Sequence, residues 1–98
     1  MKRYKLMPAA EEDLAGIIQQ ISEDRPRAAL KVFGRIHAAA QRLADMPNIG
    51  HLCEDITDKP VRFWAVHSWL IVYRPDRRPL EILRIVHGAQ DLPRALQL

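Results

Sequence analysis

The side chains best suited to chemistry lie in the second half of the sequence: Arg62, Arg74 and Arg84, each within a stretch of β-forming residues, and His87 at the end of the last stretch. Cleavage of a phosphodiester needs a group that moves a proton and cations that stabilise the pentavalent phosphate. One imidazole with several guanidiniums is a minimal set for that task. Trp64, Trp69 and Tyr73 are interleaved with these cations. The same pattern has a plainer reading, because arginines on strands often sit on a solvated face or pair with acids such as Glu81, and aromatics at strand positions usually pack into a core. The run Pro75-Asp76-Arg77-Arg78-Pro79 reads as a solvated hairpin tip rather than a phosphate clamp.

Other chemistries find less support. His37, His51, His67 and His87 fall on different elements with no short spacing of the kind a zinc site uses, so no metal site is expected. Cys53 is the one cysteine, which excludes an internal disulfide and suits a reducing compartment; with His51 two residues before it and no other motif, it reads as a small apolar residue rather than a nucleophile. There is no phosphate-binding glycine loop, dinucleotide fingerprint or nucleophile elbow, so no cofactor is expected. The N-terminal Met-Lys-Arg-Tyr-Lys-Leu-Met-Pro is charged but has no apolar stretch, unlike a signal peptide. The longest apolar run, residues 69–73, is far too short to cross a bilayer, and a cytoplasmic location follows as the expectation.

A chain of 98 residues, 48% apolar and 28% charged, has room for one globular domain, taken as 1–98. The net charge of +3 is small for a dedicated nucleic-acid binder. Between Lys59 and Arg84, however, the cations Lys59, Arg62, Arg74, Arg77, Arg78 and Arg84 face only Asp76 and Glu81, so this stretch exceeds the surplus of the whole chain and the remainder is slightly acidic.

The elements that must position these side chains follow from periodicity. Tyr4 and Leu6 alternate with basic residues in a short strand, and Pro8 suits the first turn of a helix. Glu11, Glu12 and Asp13 then favour the positive end of the helix dipole, while Ala10, Leu14, Ile17, Ile18 and Ile21 recur on one face, predicting a helix to about residue 23. From Pro26, the spacing of Ala29, Val32, Phe33, Ile36, Ala40 and Leu43 predicts a second helix, ending by Met46 because Pro47 disfavours helical geometry before it. So short a connection makes the two an antiparallel hairpin. Residues 51–60 read as a loop; 61–66, 69–74 and 80–87 read as strands whose connections are too short for crossover helices. The expected fold is α+β: an N-terminal strand, a two-helix hairpin and a three-stranded antiparallel meander packed against the helices. Along the last strand, strict alternation points Ile82, Arg84 and Val86 one way and Glu81, Leu83, Ile85 and His87 the other. After Gly88, Asp91 is placed to cap one turn through 93–96.

In this order and at these distances, several segments together resemble the ParE branch of the RelE/ParE toxin superfamily. They are Pro8-Ala9-Ala10-Glu11-Glu12-Asp13-Leu14, Ala28-Ala29-Leu30, Arg42-Leu43-Ala44-Asp45-Met46-Pro47 with Ile49-Gly50, Leu70-Ile71-Val72-Tyr73-Arg74, and the run from Ile82 through His87-Gly88 to Leu92-Pro93. The resemblance implies the toxic member of a type II toxin–antitoxin system and agrees with the α+β fold read from periodicity. It implies two alternative activities. Toxins similar to RelE cut messenger RNA in the ribosome with basic side chains on the sheet; toxins similar to ParE have no nuclease activity and poison DNA gyrase. In the RNA-cleaving relatives a basic residue typically lies three positions before the central-strand tyrosine and another follows the glycine after the last strand. Here those places hold Leu70 and Ala89 or Gln90, and the preceding strand has Val61 and Phe63 where lysines would stand.

The resemblance therefore favours a non-catalytic gyrase poison, with Arg62, Arg74, Arg84 and His87 as catalytic candidates only in the alternative endoribonuclease reading. It implies a target or antitoxin surface built from Arg62, Trp64, Trp69, Tyr73, Arg74, Arg84, His87, Leu92 and Leu96. It also implies an antitoxin-facing helical hairpin through Leu14, Ile17, Ile18 and Phe33. The implied partners are DNA gyrase and a cognate ParD-like antitoxin, a DNA-binding dimer, with no sequence-specific nucleic-acid binding by this chain and no membrane contact. Three positions depart from the pattern: Met7 where a capping Ser is common, Arg25 where Asn or Asp often precedes the proline, and His67-Ser68-Trp69 in place of Gly-basic-Tyr.

Overall fold

Prolines set the start of both helices. In the computed structural model, which describes residues 3–52 and 58–88, strand β1 (Tyr4–Leu6) leads into helix α1 (Pro8–Asp24), and helix α2 (Pro26–Asp45) begins one residue after α1 ends. Proline at the first helical position loses no intrahelical hydrogen bond. Neither Met7 nor Arg25 supplies a side-chain cap. Pro26 instead forces Arg25 out of the helical region, to φ −142° and ψ 78°. Its N–H still reaches the Ile21 carbonyl at 2.7 Å and its carbonyl accepts from Ala29 N at 3.1 Å, so a single residue reverses the chain.

A 3-10 turn, Pro47–Ile49, follows α2. Strands β2 (Arg62–Val66), β3 (Trp69–Arg74) and β4 (Leu80–His87) then form the expected antiparallel meander. Residues His67 and Ser68 make the β2–β3 turn even without the usual glycine, with His67 held at φ 55° and the Ser68 carbonyl accepting from Gly88 N at 2.8 Å. In the 51–60 stretch, His51 makes an isolated antiparallel bridge to Phe63. The segment expected to form a turn at 93–96, together with Cys53, Leu92 and Leu96, lies outside the described residues.

β1 is part of the same sheet. It pairs parallel to β4, with Tyr4 opposite Leu80 and Leu6 opposite Ile82, giving the order β1-β4-β3-β2 and a mixed rather than purely antiparallel sheet. The helical hairpin carries the chain from β1 to β2 at the opposite edge, and the meander then brings β4 back beside β1, so the parallel partners are joined by the long connection that such a pairing requires.

The alternation expected along β4 is interrupted. Val72 pairs with Arg84 and the next residue, Tyr73, with Ile82, so Leu83 is the extra residue of a β-bulge. The bulge lets Ile82 and Ile85, three positions apart, share the helix-facing core with Ile71, Tyr73 and Leu80. Ala10, Ile36, Ala40 and Leu43 meet them from the helices. Leu83 joins Val61, Phe63, Leu70, Val72 and Val86 in a second apolar cluster on the other side of the sheet. Burying side chains such as Leu43 and Ile71 completely is the main stabilising force in a domain of this size, at about 1.5–3 kcal/mol each.

Candidate functional site

Of the phosphate-cleaving set, Arg62 and Arg74 lie at one end of the sheet, His87 at the other and Arg84 between them, and all three arginines have partners. Arg62 opposes Tyr73 and Arg74 opposes Glu81 at one end. His87 opposes Trp69 at the other. Trp69 and Arg74 are five positions apart on β3, about 16 Å at the rise of a strand. Arg62 donates from Nη1 to the Gly50 carbonyl at 2.8 Å. Arg74 makes a two-point ion pair with Asp76, Nε to Oδ1 at 3.1 Å and Nη2 to Oδ2 at 2.9 Å. This pairing raises the Arg74 pKa and lowers that of Asp76, in both cases chiefly through the side-chain hydrogen bond.

Arg84 is held from the helical layer. Its Nε and Nη2 donate to the two carboxylate oxygens of Asp13 at 2.6 and 3.0 Å, and the Ile85 N–H next to the bulge donates to Asp13 Oδ2 at 2.9 Å. The hydrogen bond to Asp13 raises the Arg84 pKa, so the guanidinium stays charged and occupied. Arg84 and His87 also line a hollow of about 470 Å³ together with Glu12 and Asp13, two carboxylates that oppose the approach of an anion.

Tyr73, expected on the target surface, is instead completely buried. Its hydroxyl donates to the Pro47 carbonyl at 2.6 Å and accepts from Gly50 N–H at 2.9 Å. With Arg62 on the Gly50 carbonyl, these bonds fasten the turn after α2 to the sheet. Burial raises the Tyr73 pKa, against smaller opposing effects of Gly50 N–H and Arg62. Gly50 is required here by close approach, since a Cβ would lie 2.7 Å from Tyr73 Cε1. Trp64 and Trp69 are half-buried against the helix-facing core. Trp64 meets both the His51 ring, stacked at 6.3 Å, and the Arg42 guanidinium, 5.7 Å from its centroid; Trp69 meets His87 edge-on at 6.0 Å.

The hairpin residues divide. Leu14 and Ile17 pack against the core and Ile18 is half-buried, whereas Phe33 is 48% exposed. Phe33 stacks on His37 at 6.3 Å with planes 7° apart, and Nδ1 of His37 hydrogen-bonds the Tyr4 hydroxyl. These rings line a groove of about 430 Å³ between β1 and the helices, floored by Leu6, Ile36 and Ala40. β1 is the outer strand of the sheet, so its free edge runs along this groove. Asp13, Gly50 and His37 were not singled out as site residues from sequence: Asp13 carried the ordinary signature of a first-turn acid, and nothing local marks Gly50 or His37 as neighbours of a distant tyrosine.

No group of three or more His, Cys, Asp or Glu residues able to hold a metal occurs among the described residues. Among those residues, no helix is long and apolar enough to cross a membrane.

Among solved structures, the fold is similar to a chain of the chromosomal ParDE toxin–antitoxin system from P. aeruginosa, with a TM-score of 0.70 and 24% identity over 87% of this chain and 94% of that one. No curated protein sequence matches significantly. The family model for the ParE toxin of the type II toxin–antitoxin system parDE matches residues 4–92. Over nearly its whole length, from β1 past the end of β4, the chain belongs to the ParE toxin family.

Proposed function

We propose that this protein acts in the cytoplasm by binding and poisoning DNA gyrase, without catalysis, and that a cognate ParD-like antitoxin, a DNA-binding dimer, neutralises it. The observation that carries the non-catalytic reading is the separation of the phosphate-cleaving set. Arg62, Arg74 and Arg84 are engaged with Gly50, Asp76 and Asp13 respectively, and His87 stands at the opposite end of the sheet from Arg62 and Arg74. Phosphoryl transfer depends on donors preorganised around one anion, and these side chains would have to abandon existing partners to converge on it. Membership of the ParE family supports the same choice.

The groove beside β1 is the proposed antitoxin site. It combines a free strand edge with the half-exposed Phe33 and the half-buried Tyr4 and Leu6, features that a segment folding on binding uses for main-chain pairing and side-chain anchoring. The exposed parts of Trp64, Trp69 and His87, with Leu92 and Leu96, remain the proposed gyrase surface.

The decisive assay is supercoiling by purified gyrase. Excess toxin inhibits it and traps cleaved DNA, and the antitoxin relieves the effect. Undisturbed supercoiling at toxin excess would reject the gyrase reading. Loss of intact messages before any DNA damage, abolished by His87→Ala, would instead establish the ribosome-dependent endoribonuclease.

A further inference from the structure

The helical hairpin is segregated by charge. α1 carries Glu11, Glu12, Asp13, Glu23 and Asp24 and no Lys or Arg; α2 carries Arg27, Lys31, Arg35 and Arg42 against Asp45 alone. Asp45 is already paired with Arg3. At 3.6 residues per turn the four cations of α2 fall within an arc of about 80°, on the side of the helix away from Ala29, Ile36, Ala40 and Leu43. All four are exposed. Arg27 and Lys31 make no ion pair among the described residues, while Arg35 reaches the His67 ring and Arg42 lies over Trp64.

We propose that this face of α2 is a docking surface for the phosphate backbone of duplex DNA, independent of sequence. Arg27, Lys31 and Arg35 recur at a rise of about 6 Å and the row to Arg42 spans about 22 Å. A duplex carries one charge per 1.7 Å of axis, so such a row can meet several phosphates at once. Gly34 and Ala38 are the residues between the cations, both exposed, and no atom lies within 4 Å of where a Gly34 Cβ would stand. The backbone can therefore come close to a phosphate ridge. Leu30 lies about 60° and Phe33 about 120° round the helix from Arg27, so the large exposed apolar side chains stand beside the cationic arc and the arc itself holds no apolar anchor of the kind protein interfaces depend on. That absence favours a polyanion over an acidic protein as the occupant. Contacts to phosphates alone confer affinity and not sequence choice.

The test uses the purified full-length chain and a fluorescent 20-base-pair duplex of arbitrary sequence, and needs neither gyrase nor antitoxin. Its result is therefore independent of the gyrase reading. If all four cations engage, log K falls against log salt with a slope of about −3.6, or about a hundredfold between 50 and 200 mM. Arg27→Gln with Lys31→Gln makes the slope shallower by about 1.8 and weakens binding at 50 mM salt at least tenfold. Circular dichroism of the pair checks that it is folded. The double change Arg77→Gln with Arg78→Gln at the β3–β4 turn leaves both quantities as they were. The proposal is overturned by absence of binding at 50 mM salt, by a slope that the α2 pair does not move, or by retention of polyglutamate in preference to DNA.

Discussion

Asp13 and Arg84 lie 71 positions apart and meet in a two-point ion pair that ties the second turn of α1 to the bulge of β4. The same carboxylate accepts the Ile85 N–H beside the bulge, so one side chain satisfies the guanidinium and a backbone donor together. The pair is well shielded, with side-chain exposures of 24% and 17%.

Removing Asp13 strands two donors at once. Asp13→Ala is expected to cost about 2–3 kcal/mol in urea unfolding, the range for charge-assisted bonds with partners left unpaired. Arg84→Ala costs less, because the carboxylate keeps the Ile85 N–H. A double-mutant cycle should give a coupling of about 1–3 kcal/mol. A coupling near zero would mean that the pair behaves as an ordinary surface ion pair.

Three glycines should respond in opposite directions to alanine. Gly50→Ala drives a methyl into the Tyr73 ring, and with both residues buried the expected loss is about 1–3 kcal/mol. Gly16→Ala and Gly34→Ala lie within α1 and α2 with nothing near the added carbon, and each should raise stability by up to about 1 kcal/mol. Thermal melts of the three variants give the comparison directly.

The Tyr73 hydroxyl predicts an alkaline limb. Its folded-state pKa is raised above the ordinary value of 10.0, chiefly by burial, so the folded chain holds this proton more tightly than the unfolded one. The associated stability is complete below about pH 10 and declines as pH rises above it towards the folded-state pKa. Tyr4, also raised by burial, contributes in the same direction. Tyr73→Phe should be less stable at pH 7 by about 1–3 kcal/mol, since Gly50 N–H and the Pro47 carbonyl lose their partner, and its stability should fall less between pH 9 and 11. Urea midpoints across that range test both halves.

Phe33 separates antitoxin binding from folding. Because its ring is 48% exposed, Phe33→Ser should change stability by less than about 1 kcal/mol. On the proposed antitoxin site it removes an anchor of the groove, and rescue of growth by co-expressed antitoxin should weaken while toxicity of the protein alone persists. Equal rescue of variant and parent would place the antitoxin elsewhere.

The helices and strands were legible in the sequence because their causes are local. Pro8, Pro26 and Pro47 limit backbone choices at their own positions, and the repeat of Ala29, Ile36, Ala40 and Leu43 specifies a buried face whatever it packs against. The motifs from Pro8 to Pro93 likewise carried the family resemblance without reference to contacts. Tertiary structure decided three matters that periodicity could not. The parallel pairing of β1 with β4 depends on where the hairpin returns the chain. The bulge at Leu83 overrides strict alternation because Ile82 and Ile85 both gain burial in one core. The roles of Arg84 and Tyr73 depend on Asp13 and on the Pro47–Gly50 turn, partners remote in sequence. A cation's type and position along the chain determine its charge, but only packing determines whether that charge is already spoken for. Here it is neutralised at Arg84 and, among the described residues, paired with no acid along α2 at Arg27 and Lys31.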